Sequence, residues 1–493
     1  MLFNSYPFLF LFLPLTLTLF FLLGRRSHAL AMGWMALASL FFYAWWSPPY
    51  LLLLLASAGF NYGAGLLLAR SPPGDARRPA LALAVAANLA LLGYFKYADF
   101  FIQTVNATFA AGWPAMQIVL PLGISFFTFT QIAFLVDTAR GEAKDYDFVH
   151  YLLFVTYFPH LIAGPILHHK EMMPQFDRPD ISRFSANRLA LGISVLAFGL
   201  FKKTVLADGL AAYATPVFAA AAHGGTPTPL EAWGAALAYS LQIYFDFSGY
   251  SDMAIGLARM IGIRLPLNFH SPYKAGSIIE FWRRWHMTLS RFLRDYLYFP
   301  LGGNRHGRQR RYLNLLATMV LGGLWHGAGW TFVIWGALHG LYLVVNHAWR
   351  AVRPGSAVRG RGFRLAAGML TFLAVVVAWV PFRADGVAAA RTMLAAMAGL
   401  AGPAAETATL DWTAGRLWIA AGLAIVWLAP NTQEIFARYR MLGPVHRQAD
   451  RLALPWLGLR WRRSPGWALA TAVIGFVGLL FFSRGSEFIY FQF

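Results

Sequence analysis

Cysteine is absent from the 493-residue chain, which excludes disulfides, thiol catalysis and cysteine metal sites together. Charge is scarce as well, at 13% of residues, and only six of the 41 basic side chains are lysine, a bias that points to a GC-rich bacterial genome. There is no GxSxG elbow, no HExxH helix and no phosphate loop of the GxxxxGKS/T kind. His168 and His169 lie beside Lys170 without the spaced carboxylates of a hard metal site, so no metal is expected. Histidine is left as the best available general base.

What is present is apolar. The chain is 58% hydrophobic and 16% aromatic, with a mean hydropathy of +0.51, so it reads as an all-α polytopic membrane protein. Met1 to Leu23 lacks a basic start and a small-residue cleavage site, and further apolar runs follow, which predicts a retained first span. Runs long enough to cross lie near 6–23, 29–46, 50–69, 79–95, 116–136, 148–168, 187–207, 230–260, 312–330, 331–348, 364–382, 415–429 and 466–483. No internal repeat, soluble domain or low-complexity linker interrupts them. A single membrane-embedded domain over 1–493, with 482–493 as an aromatic tail, is the economical organisation.

A formal charge of +20 would suit nucleic acid, but in such a chain it marks cytoplasmic loops and lipid phosphate contacts. No nucleic-acid partner is expected. Arg25, Arg26, Arg70, Arg77 and Arg78 belong inside and the turn Ser47-Pro48-Pro49 outside, which predicts a periplasmic N-terminus. Five arginines in 350–364 and seven in 431–465 read as cytoplasmic and the nearly neutral 383–413 as external, so the C-terminus emerges outside too. The middle does not alternate cleanly. Gly/Pro-broken segments such as 120–125 and 161–166 are where re-entrant helices would lie, giving a funnel-like core.

Between Tyr312 and Trp349 there is no Asp, Glu, Lys or Arg, yet His326 lies in the middle, in LGGLWHGAGW. The run is long enough to cross twice with a bend at Gly327 and Gly329, so His326 is read as an intramembrane base or as a packing histidine between helices. The segment 242–256 adds Asp246, Ser248, Ser251 and Asp252 to an apolar helix, where the carboxylates read as hydrogen-bond anchors of a pocket before catalysts. Asn268 and Trp325 complete the polar lining. The stretch 280–311 pairs Glu280 with Arg284 and Arg291 with Asp295 at helical spacing, and sets Trp282 and His286 on one face. This predicts an amphipathic helix at the cytoplasmic surface. Arg283, Arg284, Arg291 and Arg294, with Arg305, Arg308, Arg310 and Arg311, suit the phosphates of a nucleotide-bearing acyl donor; ordinary positive-inside charge is the competing explanation.

At these residues the chain resembles the membrane-bound O-acyltransferase (MBOAT) family, in the bacterial branch typified by the membrane subunit of alginate O-acetylation. The resemblance runs through PLGISFFTFTQIAFLVDTARG (121–141), YFPHLIAGPI (157–166), GLFKKTVLAD (199–208), QIYFDFSGYSDMAIG, FWRRWHMTLSRFLRDYLYFPLGG, GGLWHGAGWTFVIWGALHG, PFRA (381–384) and PNTQEI (430–435). It implies a helical funnel, an essential histidine at His326 and a second family histidine at His286. It also implies acetyl-CoA as a cytosolic donor substrate with no permanently bound cofactor. The implied partners are a periplasmic SGNH-hydrolase-like acetyltransferase and a polysaccharide biosynthesis or secretion complex.

The tail, SEFIYFQF at 486–493, is too aromatic for a solvated terminus and should dock. A similar motif ends a small protein of the related teichoic-acid D-alanylation system, so the resemblance suggests Tyr490 as an acyl relay activated by His326; an interfacial aromatic anchor is the plainer alternative. Two function classes stand: an inner-membrane O-acetyltransferase subunit for a polymer such as alginate, cellulose or peptidoglycan, and a transporter or lipid-linked-sugar flippase with His326, Asp246 and Asp252 on its path. D-alanyl transfer fits less well, because here the aromatic motif is part of the same chain. Thioester dependence separates transferase from transporter.

Overall fold

A computed structural model describes residues 1–72, 74–143, 147–352, 360–401, 410–439, 459–482 and Ile489. Among them every regular element is helical, the form that satisfies backbone polar groups within one segment in hydrocarbon. Pro48–Arg70, Arg77–Phe109, Ala186–Ala222 and Gly362–Arg383 are long and apolar enough to cross a membrane, and shorter apolar helices include Phe8–Gly24, His28–Ala44, Ile124–Ala139, Trp412–Leu428 and Pro465–Leu480. Val387–Met397 is a further helix inside the stretch expected to be an external loop. Its alanine-rich sequence forms helix readily without being long enough to announce a span.

The chain forms two compact units. The first takes in Met1–Gly199 and Tyr250–Pro266; the second takes in Leu200–Gly249 and Leu267–Arg440 with the described residues near the C-terminus.

In the first unit, apolar helices pack around paired amides. Asn61 donates to Gln131 at 2.6 Å and to Asn88 at 3.0 Å, so these buried side chains satisfy one another. The two Gly/Pro-broken segments meet here. Gly123, at φ +72°, would bring a β-carbon within 2.9 Å of the Leu161 carbonyl, so glycine is needed both for the turn and for the approach. The span expected over 116–136 therefore begins as helix only at Ile124. That over 148–168 breaks into Phe148–Thr156 and Phe158–Leu161, because Pro159 has no N–H to continue the ladder.

In the second unit, the helix expected to stop at 207 runs on to Ala222 through a π turn at Lys202–Ala207. A π turn brings positions five apart into line, and Lys203 Nζ meets Asp208 Oδ1 at 2.8 Å.

Gly307–His326 and Trp330–Val352 form an antiparallel hairpin. Gly336 and Gly340 repeat at four-residue spacing on one helix and Gly323 faces them: a β-carbon on Gly323 would lie 2.2 Å from the Phe332 carbonyl, and one on Gly336 2.4 Å from the Met319 carbonyl. The first helix ends at His326, with Gly327 already extended, so the expected bend at Gly327–Gly329 is where the structure has it.

The stretch 280–311 departs from expectation. In place of one amphipathic helix there are Ile278–Arg284, Met287–Leu293 and a π turn Arg294–Tyr298, before a turn leads into Gly307–His326. The break falls at His286, whose backbone is left-handed at φ 41°, ψ 54°. Trp282 and His286 thus do not share a helix face.

Candidate active site

His286 and His326 come together although 40 positions apart: their rings lie 6.3 Å centroid to centroid in the second unit, both buried. His326 ends one arm of the glycine hairpin, and its ring meets Trp325 at 5.0 Å, Trp335 at 5.0 Å and Phe382 at 5.3 Å. Trp335 comes from the return helix and Phe382 from Arg361–Arg383, the end of which holds the PFRA motif. Three helices thereby wall one imidazole with aromatic faces. His286 packs edge-on to Phe247 at 4.7 Å and faces Trp325 at 6.1 Å.

A left-handed backbone at a non-glycine residue costs roughly 1–2 kcal/mol, so something must hold it. Asn268 does. Its carbonyl accepts from the Met287 amide at 2.9 Å, and its side-chain oxygen accepts from the Thr288 hydroxyl at 2.6 Å. The loop carrying Asn268 is secured in turn at Ser271, also left-handed at φ 47°, whose hydroxyl accepts from Asn431 at 2.8 Å. Asn431 and Glu434 form a reciprocal capping box, so the PNTQEI segment is tied to the loop that clamps the His286 turn.

Of the other residues singled out in the sequence, Trp325 and Asn268 adjoin the pair as described, and Ser248 is buried on Pro229–Met260. Asp246, buried on the same helix, pairs with Lys203 at 2.8 Å. Asp252 is buried as well and belongs to the first unit. Arg284 binds Glu280 at 2.5 Å and Arg294 binds Asp295 at 2.7 Å, while Arg283 and Arg294 are exposed and Arg284 and Arg291 half-buried. Arg311 bonds His347. Tyr490 lies outside the described residues; its neighbour Ile489 is described and buried. Among the described residues no cluster of three metal-ligating side chains occurs.

Two parts of this site were not singled out from the sequence. His339, fully buried, accepts from Trp282 Nε1 at 3.3 Å and meets Trp335 edge-on at 4.9 Å, which extends the aromatic wall behind His326. Its signal was available: it lies four residues after Trp335, one helical turn on. Lys203 and Asp208 were the other omission, legible as a buried-type charge pair at five-residue spacing in GLFKKTVLAD.

A buried imidazole beside a second imidazole, walled by aromatics, can take and return a proton where water is scarce. The family model for membrane-bound O-acyltransferases matches residues 115–379. The chain is 43% identical to the peptidoglycan O-acetyltransferase of Helicobacter pylori over 82% of its length and 80% of that protein. It is 44% identical to the probable alginate O-acetylase AlgI of Pseudomonas aeruginosa, over 80% of this chain and 75% of that protein. A teichoic acid D-alanyltransferase of Streptococcus thermophilus matches at 30% over 46% of this chain and 57% of its own.

Proposed function

We propose that this chain, which belongs to the membrane-bound O-acyltransferase family and is an acyltransferase, moves acetyl from cytosolic acetyl-CoA across the bacterial inner membrane for O-acetylation of an exopolysaccharide. The observation that carries the mechanism is the buried His286–His326 pair. His326 takes the proton of an acceptor hydroxyl, whose oxygen attacks the thioester carbonyl. The new C–O bond forms, the C–S bond breaks, and the proton returns to the departing CoA thiolate. His286 holds the second position on this path. Tyr490 is the acceptor within the chain, a phenol that passes acetyl to a periplasmic SGNH-hydrolase-like partner, and both termini face the periplasm in keeping with the arginine-rich loops.

Two relatives at nearly equal identity act, by their names, on peptidoglycan and on alginate, so overall similarity does not choose the polymer. Alginate or cellulose is favoured as an exported polysaccharide, with the polymer set by the partner. No observation favours the transporter reading over transfer.

The test is labelled acetyl transfer from acetyl-CoA to the purified protein in nanodiscs, followed by peptide mapping. Wild type is expected to carry label on the C-terminal peptide, and His326→Ala and Tyr490→Phe to lose it. Thioester turnover that depends on His326 but leaves the tail unlabelled would move the acceptor elsewhere, and no turnover even with the partner present would overturn the acetyl-CoA reading.

A further inference from the structure

Lys203, Asp208 and Asp246 form a buried ionic cluster: the Lys203 ammonium meets Asp208 Oδ1 and Asp246 Oδ1, each at 2.8 Å, and all three side chains are almost wholly buried. One ammonium faces two carboxylates. With all three ionised the cluster keeps one negative charge, which is costly to bury unless further donors reach it. One donor comes from the far end of the chain. The backbone N–H of Ile489 points to Asp246 Oδ2 at 3.4 Å, and Ile489 is only 3% exposed.

The same π turn is tied to the last helix, since the Thr204 hydroxyl donates to the Gly478 carbonyl at 2.9 Å. Gly478 lies two residues before the end of Pro465–Leu480. The seat also adjoins the histidines: the residue after Asp246 is Phe247, whose ring packs on His286.

We infer that the Lys203–Asp208–Asp246 cluster is the seat of Ile489, and that Asp246 is a positioning residue whose hold on Ile489 supports acetylation of the neighbouring Tyr490. This rests on the reading of Tyr490 as the acyl acceptor. The chemistry selects a carboxylate at 246. An amide there offers one oxygen, which the Lys203 ammonium claims, and turns its own N–H toward the N–H of Ile489. Asp246→Asn also leaves Lys203 and Asp208 as a neutral pair, so no orphaned charge is created in the interior.

The cysteine-free chain permits a direct test. Ile489→Cys keeps the backbone N–H and is the only thiol in the protein. In nanodiscs it should react slowly with a membrane-impermeant maleimide, at least about tenfold faster when Asp246→Asn is added, and no faster when His326→Ala is added; tenfold is the loss of one charge-assisted hydrogen bond. In the native-tail protein, Asp246→Asn should lower acetyl on Tyr490 by a similar factor while acetyl-CoA binding stays within about twofold, because a merely structural defect would weaken both. An unchanged thiol reactivity with Asp246→Asn overturns the seat, even if Tyr490 is acetylated. Release of the thiol together with an unlabelled Tyr490 in wild type overturns the acceptor reading and leaves the seat standing.

Discussion

The side-chain oxygen of Asn268 accepts a 2.6 Å hydrogen bond from the hydroxyl of Thr288, two residues beyond His286. With the Met287 amide bonded to the Asn268 carbonyl, the turn that carries His286 is clamped on its exit side. Asn268→Ala should therefore lower turnover about tenfold, the worth of roughly one buried hydrogen bond, with the KM for acetyl-CoA little changed. Thr288→Val should do the same to a smaller degree. Acetyl-CoA kinetics that leave kcat unmoved in both variants would remove Asn268 from the site.

His286 sits where the backbone would rather have glycine. His286→Gly should unfold at higher temperature than His286→Ala, by the equivalent of about 1 kcal/mol, although both lose transfer activity. The check is thermal unfolding in one detergent. Equal stabilities would mean that the left-handed turn is not a cost the fold carries for the imidazole.

Gly327 and Gly329 flank the same bend but are not equivalent. A β-carbon on Gly327 would lie 2.1 Å from the Phe332 ring, whereas on Gly329 the nearest atom is 3.6 Å away. Gly327→Ala is expected to displace Phe332 and cut activity at least tenfold by shifting the wall around His326, for roughly 1–3 kcal/mol of overpacking. Gly329→Ala should retain most of it. Expression level and acetyl transfer read both.

Asp180, on the loop between Phe176 and Ala186, is held at about 2 by hydrogen bonds from Arg178, then by one from Arg188 to its carboxylate. A carboxyl depressed below its ordinary value of about 4 stabilises the fold fully above that value and loses the contribution as pH falls toward 2. With 44% of the side chain exposed the effect is small, below about 1 kcal/mol. Asp180→Asn should lower the unfolding temperature slightly at pH 7, and the gap should narrow at pH 3. A gap that widens in acid would contradict the pairing.

Much of this was legible in the chain itself. Mean hydropathy and the absence of charge from Tyr312 to Trp349 predicted a helix pair, and Gly327 marked its bend, as the hairpin of Gly307–His326 and Trp330–Val352 has it. The sequence also singled out His326, an imidazole inside a run without charge, while His286 was pointed to by the family resemblance. Composition and period, however, speak only of neighbours along the chain.

That His286 interrupts a helix instead of riding on it was hidden, because the left-handed turn is held by Asn268 from a separate loop, and that loop is secured in turn by Asn431, 160 residues beyond its partner Ser271. The span expected to end at 207 runs on, and Lys203 inside it meets carboxylates five positions away across a π turn and 43 positions away on another helix. Long-range hydrogen bonds and buried ion pairs, which depend on which helices meet, decided those positions; composition and hydropathy alone determined the membrane class and the all-helical fold, because they depend on the solvent and not on which helices meet.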